Sequence, residues 1–442
     1  MRIKIDNTEF PFDPKAGFTK TELQKQVATA KAHRRKLKKI LKAAGKSNQK
    51  KEPQHQYVSS ARVKFATMIE VGKRQIFSNR LQLPMYSQMA QKLKLHEPIN
   101  EKVNIRLKEK PNGGVRYYCE FGLIHKTAQA MVADMIRYQF KPKSWQYETK
   151  GVRKAVTSVK NLFKSGFIYA AKLDIKSFFD SFYHDQITLG AIPIKKAITE
   201  NVAIGKTYTF ANNESIKVKA GLEVPDDHIH EYAGTISHYI NLVTQQGIPQ
   251  GSAASPIVAS FFLSKVNLNL PTNVRVINYV DDFLILGKTP EKVINAGNAL
   301  KSAIADLPVG NFELLPKGGS SFVSGIEFLG HVFKMDGNKN LSVQVSQPNI
   351  QKFNFEVSKR SARLVDLHDS NPKNNCIAYE LVLEQARYVL GWLLAFSEAD
   401  NIIELEKHGK LFLDSDCQLF ELDPDTITKN AKKIGYTKSY VY

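Results

Sequence analysis

Residues 273–287, NVRVINYVDDFLILG, hold the feature that most restricts the fold. Two apolar runs, INYV and FLIL, are broken only by Asp281 and Asp282. Apolar runs of this length read as buried strands, and so short a break makes them a strand–turn–strand unit. Two adjacent carboxylates at such a turn repel each other, and desolvation adds to the cost. A divalent cation removes that cost. Hard carboxylate oxygens suit Mg²⁺, which keeps waters and completes its shell with phosphate oxygens. Most Asp-Asp pairs are solvated turn residues, but few of those interrupt a strand pair this apolar.

Two other segments carry related chemistry. In Lys172–Asp180 (KLDIKSFFD), Asp174 ends the apolar run FIYAAKLD at 167–174 and leads into an aromatic pair. An Asp in that place also makes a good helix N-cap. Asp174 together with Asp281 and Asp282 could hold two metal ions about 3.5–4 Å apart, as in two-metal phosphoryl transfer. The run Gln245–Pro256 (QQGIPQGSAASP) is rich in small residues that let a base pair or sugar approach the backbone, and IVASFFLSKVNL after it reads as a helix. Taken alone that run is a loop before a helix. Its weight comes from its place after Asp174 and before Asp281.

Composition narrows the partner. The chain has 442 residues, enough for two or three packed units, and a net charge of +21. Such an excess exceeds what solubility needs and points to a polyanion, most often nucleic acid. Three distant cysteines and no Cys-x-x-Cys pair argue against a disulfide scaffold or a Cys-based zinc site, so a reducing cytoplasm is expected. The N-terminus lacks the apolar core of a signal peptide, and no apolar run is long enough to span a membrane.

Residues 1–50 carry 14 Lys/Arg against 4 Asp/Glu, and KAHRRKLKKILK at 31–42 reads as a helix with a narrow apolar stripe. A solvated basic face is the ordinary reading of such a run; the overall charge favours a phosphate-gripping arm. Residues 45–56 read as a linker. Hairpins are expected at 103–118, around PNGG, and at 208–224; a helix at 290–306; strand at 322–334; helices after 349. Residues 398–425 form an acidic stretch set apart from a nucleic-acid track. Asp226–Glu231 (DDHIHE) reads as a polar turn, Tyr388, Trp392 and Phe396 as helix-packing core, and Tyr436, Tyr440 and Tyr442 as contacts of a basic tail.

In their order, DIKSFFD, then QGIPQGS with Ser255-Pro256, then YVDD, the three segments resemble the reverse transcriptases, specifically the bacterial group of retron, group II intron and phage-defence enzymes. The likeness covers about residues 100–335. Phe328-Leu329-Gly330 resembles the family's primer-grip hairpin, Pro111–Arg116 its fingers hairpin, and Lys150–Val156 the segment before the first aspartate. The resemblance implies an α+β right-hand polymerase. The expected division is a basic helical extension at 1–100, fingers at 101–165, a ferredoxin-like palm at 166–340 with an insert near 199–246, and a helical thumb with C-terminal tail at 341–442.

Carried over residue by residue, Asp174, Asp281 and Asp282 match the metal-binding aspartates, and the carbonyl of Ile175 helps hold one ion. Phe179 matches the gate beneath the sugar 2′ position, and Gln250 a residue near the incoming sugar. Arg116, with Lys108 or Lys110, matches the triphosphate grip, and Lys317 the lysine that protonates pyrophosphate. The implied cofactors are two Mg²⁺ ions, with Mn²⁺ as a substitute. The implied partners are dNTPs, an RNA template, expected to be non-coding, and the DNA product. The chain departs from retron enzymes in lacking an Asn-Ala-x-x-His signature, and no Cys/His endonuclease segment follows the thumb. The expected function is RNA-directed DNA synthesis in anti-phage defence. The rivals are untemplated or protein-primed synthesis on the same fold, or an idle RNA-binding protein.

Overall fold

The structure is a computed structural model, and it describes residues 1–6, 8–45, 51–75, 77–109, 115–211, 238–317, 321–370 and 375–434. A hairpin of β1 (Arg2–Ile5) and β2 (Thr8–Pro11) packs with four helices, α1 (Lys20–Ala44), α2 (Lys51–Ser59), α3 (Ala61–Gly72) and α4 (Leu83–Lys92). A capping box starts α1: the Thr19 hydroxyl accepts from the Glu22 amide, and the Glu22 carboxylate accepts from the Thr19 amide. Leu23, Val27, Ala30, Leu37 and Leu41 form its buried stripe. The linker expected at 45–56 is corrected in part, because residues 51–56 belong to α2. Tertiary contacts order that polar stretch: the Gln54 amide donates to the carbonyl of Pro193, and the Tyr57 hydroxyl to Asp134.

The fingers hairpin follows as β3 (Asn104–Glu109) and β4 (Val115–Glu120), then α5 (Leu123–Arg137) and α6 (Val152–Lys164). Asp134 on α5 gathers the N-terminal helices. Arg34 lies 2.9 Å and Lys38 2.8 Å from its carboxylate, and the Tyr57 hydroxyl donates to it at 2.8 Å. Burial pushes its carboxyl pKa up, but Lys38 and Arg34 outweigh that and hold it below the ordinary value. The cluster joins the basic extension to the fingers.

The central sheet is built from β5 (Tyr169–Ile175), β6 (Val274–Tyr279), β7 (Asp282–Gly287) and β8 (Leu314–Pro316), in the order β6-β7-β5-β8 and antiparallel throughout. Helix α7 (Ser255–Leu263) lies between β5 and β6 in the chain, and α8 (Pro290–Ala305) between β7 and β8. This is the split β-α-β-β-α-β arrangement of a ferredoxin-like palm. β7 is central and buried from Phe283 to Gly287, which explains its unbroken apolar sequence.

The strand expected at 322–334 is two strands, β9 (Ile326–Phe328) and β10 (His331–Met335), joined by a tight turn at Leu329 (φ 51°) and Gly330 (φ 74°). β11 (Leu341–Val345) completes this second sheet. Helices α9 (Gln347–Ser370), α10 (Asn375–Ala395), α11 (Ile402–Leu419) and α12 (Pro424–Ile434) follow, in the part of the chain where a helical thumb is expected. Trp392 stacks on Phe353 at 4.2 Å between ring centres, and Tyr388 and Phe396 are buried beside it. The acidic stretch is not wholly a free surface. Glu398 pairs with Arg153 of α6 at 3.0 Å, and Asp416 is buried against Ser361. The Asp226–Glu231 segment, the Pro111–Gly114 turn, most of the 208–224 hairpin and the three C-terminal tyrosines lie outside the described residues.

Removing the carboxylate at 134 leaves Arg34 and Lys38 close together with no counter-charge. Asp134→Ala should therefore lower unfolding free energy by about 3 kcal/mol, measured by denaturant titration. Asp134→Asn should cost less, because it keeps an acceptor for the Tyr57 hydroxyl.

Candidate active site

Strand register brings the three aspartates together. Asp174 on β5 stands directly opposite Asp282 on β7, and Tyr279 on β6 faces Asp282 from the other side. Val280 in the connecting turn has φ +59°, a region that a β-branched residue rarely adopts. Neighbouring groups hold it there. The buried Asn278 amide donates to the carbonyls of Val280 at 2.9 Å and Asp282 at 3.3 Å, and the Ile175 amide donates to the carbonyl of Asp281 at 3.2 Å.

Charge at the turn is only partly compensated. Burial pushes the Asp281 carboxyl up to about 6, with Asp282 and Asp174 adding to the shift. The Asp282 carboxyl is also raised, by burial first, against the opposing pull of Lys172 and Lys317. The Lys317 ammonium lies 3.0 Å from Asp174 and 3.7 Å from Asp282, and Lys172 lies 3.9 Å from Asp282. One carboxylate oxygen of Asp174 and one of Asp282 are shielded from water and accept no hydrogen bond. Orphaned acidic oxygens among converging carboxylates are a donor set that suits a divalent cation. Among the described residues no group of three or more His, Cys, Asp or Glu side chains is placed to hold a metal ion by itself.

Phe178 is buried against Phe182 and Phe312, while Phe179 is only half-buried. The 246–251 loop is pinned beneath that pair: the Gly247 amide donates to the carbonyl of Phe182, and the Ile248 amide to that of Phe179, each at 2.7 Å. Gly247 and Gly251 admit the protein's own backbone at close range. A Cβ on Gly251 (φ +95°) would lie 2.4 Å from the carbonyl oxygen of Cys119. Gln250 donates its amide to Asp180 at 3.2 Å, and its carbonyl accepts from the Cys119 amide of the fingers hairpin at 2.8 Å.

Other expected site residues behave differently. Lys108 and Arg116 are cross-strand neighbours in the β3–β4 register, and Lys110 lies outside the described residues. Phe328 and Leu329 are buried, and Gly330 packs under Phe396 and Asn349. The hairpin expected there is present as the β9–β10 turn, with the side chains of 328 and 329 turned into the core. Three residues at the site were not singled out from sequence: Lys172, Asn278 and Asp180. Lys172 and Asn278 had a signal, each being a lone polar residue inside an apolar strand run.

A carboxyl pKa raised on folding adds stability below its unfolded value near 3.8, and that contribution is lost as pH rises through about 6. With divalent cations chelated, Asp281→Asn should therefore raise the melting temperature at pH 7–8. The difference should shrink as pH falls from 6 towards 4. Adding Mg²⁺ at pH 8 should stabilise the wild type and not the variant.

Comparison with known proteins follows from this geometry. The family model described as "Reverse transcriptase (RNA-dependent DNA polymerase)" matches residues 108–333, just over half of the chain. No curated protein sequence matches. Among solved structures, the Sicinivirus 3Dpol RNA-dependent RNA polymerase is 10% identical with a TM-score of 0.35, over 78% of this chain and 70% of its own. Telomerase from Candida albicans, in complex with a TWJ fragment of telomeric RNA, is 12% identical with a TM-score of 0.32, over 77% of this chain and 67% of its own. Apo telomerase from Candida tropicalis is 14% identical with a TM-score of 0.33, and the match spans 76% of this chain and 60% of that one. The ordered motifs, the split palm sheet and the family match together place this chain in the reverse transcriptase family of RNA-dependent DNA polymerases.

Proposed function

We propose that Asp174, Asp281 and Asp282 are the catalytic carboxylates of this RNA-directed DNA polymerase. The observation that carries the reading is the β5–β7 register, which sets Asp174 opposite Asp282, where one oxygen of each accepts no hydrogen bond. Reverse transcriptases work with divalent metal ions, and for this chain we take them to be two Mg²⁺ ions, replaceable by Mn²⁺. When bound by the three aspartates and the carbonyl of Ile175, they would favour the ionised primer 3′-hydroxyl and neutralise the leaving pyrophosphate.

The chain's own residues supply position and charge, from which most of the rate of phosphoryl transfer comes. Phe179, half-buried beside Phe178, is read as the gate beneath the sugar 2′ position, where an aromatic ring would clash with a ribose 2′-hydroxyl. Gln250, fixed by Asp180 and by the fingers backbone, borders the same sugar. Arg116, with Lys108 or Lys110, grips the triphosphate, a task that Arg performs bidentately. Lys317 balances the carboxylates before the nucleotide arrives and then serves as the proton donor to pyrophosphate. The backbone at 328–330 supports the primer. The basic surface holds the template, a non-coding RNA in our reading, and bacterial anti-phage defence is the setting that the motif resemblance suggests.

The test is dNTP incorporation on a primed RNA template, with the product sequenced to show whether it copies that template. Asp281→Ala with Asp282→Ala should lower incorporation by about a thousandfold or more, and full activity in that variant would remove the site assignment. Phe179→Ala should raise ribonucleotide use relative to deoxynucleotide use by roughly tenfold, measured as the ratio of kcat/KM values.

A further inference from the structure

A second concave site lies outside the carboxylate cluster. It is a cavity of about 650 Å³, within the range of small-ligand pockets, and its walls include Gln139, Phe140, Lys141, Lys143, Lys150 and Lys265. The four lysines come from three parts of the chain: the segment after α5, the residues just before α6, and the end of α7. No Asp or Glu lines the cavity, and among the described residues none of the four lysines forms an ion pair. The negative ends of α5 and α7 lie nearby, but each offsets only about half an elementary charge. Roughly one charge then stands against four.

Two of these lysines are held in place. Lys150 lies 4.3 Å over the Tyr147 ring and donates to the carbonyl of Ser144 at 2.8 Å; burial, and then Lys154, push its pKa down. Lys265 lies 4.9 Å over the ring of Phe261, which meets Phe140 edge-on at 5.5 Å. Gln139 is only 7% exposed, yet neither its amide nitrogen nor its amide oxygen has a partner. A buried amide with both ends unsatisfied is costly, so this wall lacks a polar partner. Cations gathered without a counter-anion, beside an unsatisfied amide, describe a site for an oxyanion.

We propose that this pocket binds nucleotide phosphate, and that its occupant is a phosphate of a nucleic-acid strand rather than a free nucleotide. Lys141, Lys150 and Lys265 are exposed, so the cavity opens at the surface and suits a strand that runs through it. Its wall is also pinned to the palm. The Tyr147 amide donates to the carbonyl of Asn278 at 2.9 Å, and the Asn278 amide to that of Trp145 at 2.8 Å. Asn278 is the residue whose side chain braces the carboxylate turn. A phosphate seated here is held on the same rigid unit as the aspartates. The choice of nucleic acid rests on the polymerase reading; the charge imbalance does not.

The test reads binding rather than synthesis, so a failure of the catalytic assignment stays distinguishable. A labelled single-stranded RNA oligonucleotide and, separately, a fluorescent dATP are titrated onto the full chain at fixed salt. Lys141→Glu with Lys143→Glu should weaken RNA binding about tenfold and reduce the slope of log affinity against log salt by about 1.4. Binding of dATP should not change. Lys141→Gln with Lys143→Gln should show a smaller effect of the same sign, and it replaces the Glu variant if that one fails to melt like the wild type. Lys292→Glu with Lys301→Glu on α8 is the charge control and should change RNA affinity less than about twofold. Asp281→Asn with Asp282→Asn should keep full RNA affinity. Unchanged RNA binding in the pocket variants, or an equal loss in the α8 control, overturns the proposal. Loss of dATP binding with RNA binding intact overturns the strand in favour of a free nucleotide.

Discussion

The meeting of Asp174 and Asp282 across one pair of strands is the constraint on which the rest of the molecule turns. Like charges at that spacing oppose folding, and burial makes the opposition stronger. The fold accepts the cost through a stiff frame: apolar β7 between two partners, a turn braced by Asn278, and the Ile175 amide closing on the carbonyl of Asp281. Lys317 and Lys172 return part of the charge balance. The charge left at the turn is fixed there by backbone register rather than by side-chain placement alone.

The surroundings follow from the same need for rigidity. Loop 246–251 is tied by backbone hydrogen bonds to the segment that carries Phe179, and it also links to the fingers through Cys119. Its glycines serve close packing of chain against chain. The N-terminal helices join the same body through Asp134, and α6 is tied to the thumb through Arg153 and Glu398. Ion pairs therefore join the N-terminal helices to α5 and α6 to Glu398, while backbone hydrogen bonds join loop 246–251 to the β3–β4 hairpin. No helix of the described residues is long and apolar enough to cross a membrane.

The motifs were legible because each constrains local chemistry. Adjacent aspartates in an apolar run announce a turn under electrostatic load, and apolar runs of four to seven residues announce strands. Less legible were features that depend on distant partners. Residues 51–56 look like linker because their polarity says nothing of Pro193 or Asp134, which order them. Within 322–334 the periodicity alone marks only strand, and the turn at 329–330 was legible through the motif resemblance; its positive φ angles are held where Phe396 and Asn349 pack against Gly330. That Phe328 and Leu329 are buried was not legible, since burial is a property of the assembled fold.

Sequence alone singled out three candidate carboxylates, the strand-like runs that carry them in chain order, and the basic character that points to a phosphate-bearing partner. Those properties are local, or are sums over the chain, and no packing is needed to read them. Only the tertiary structure decided that Asp174 faces Asp282, that Lys317 sits on both, that Asp180 orients Gln250, and that lysines from three segments surround one pocket. Each of these depends on register and crossing geometry between residues far apart in the chain, which long-range packing sets and residue identity does not encode position by position.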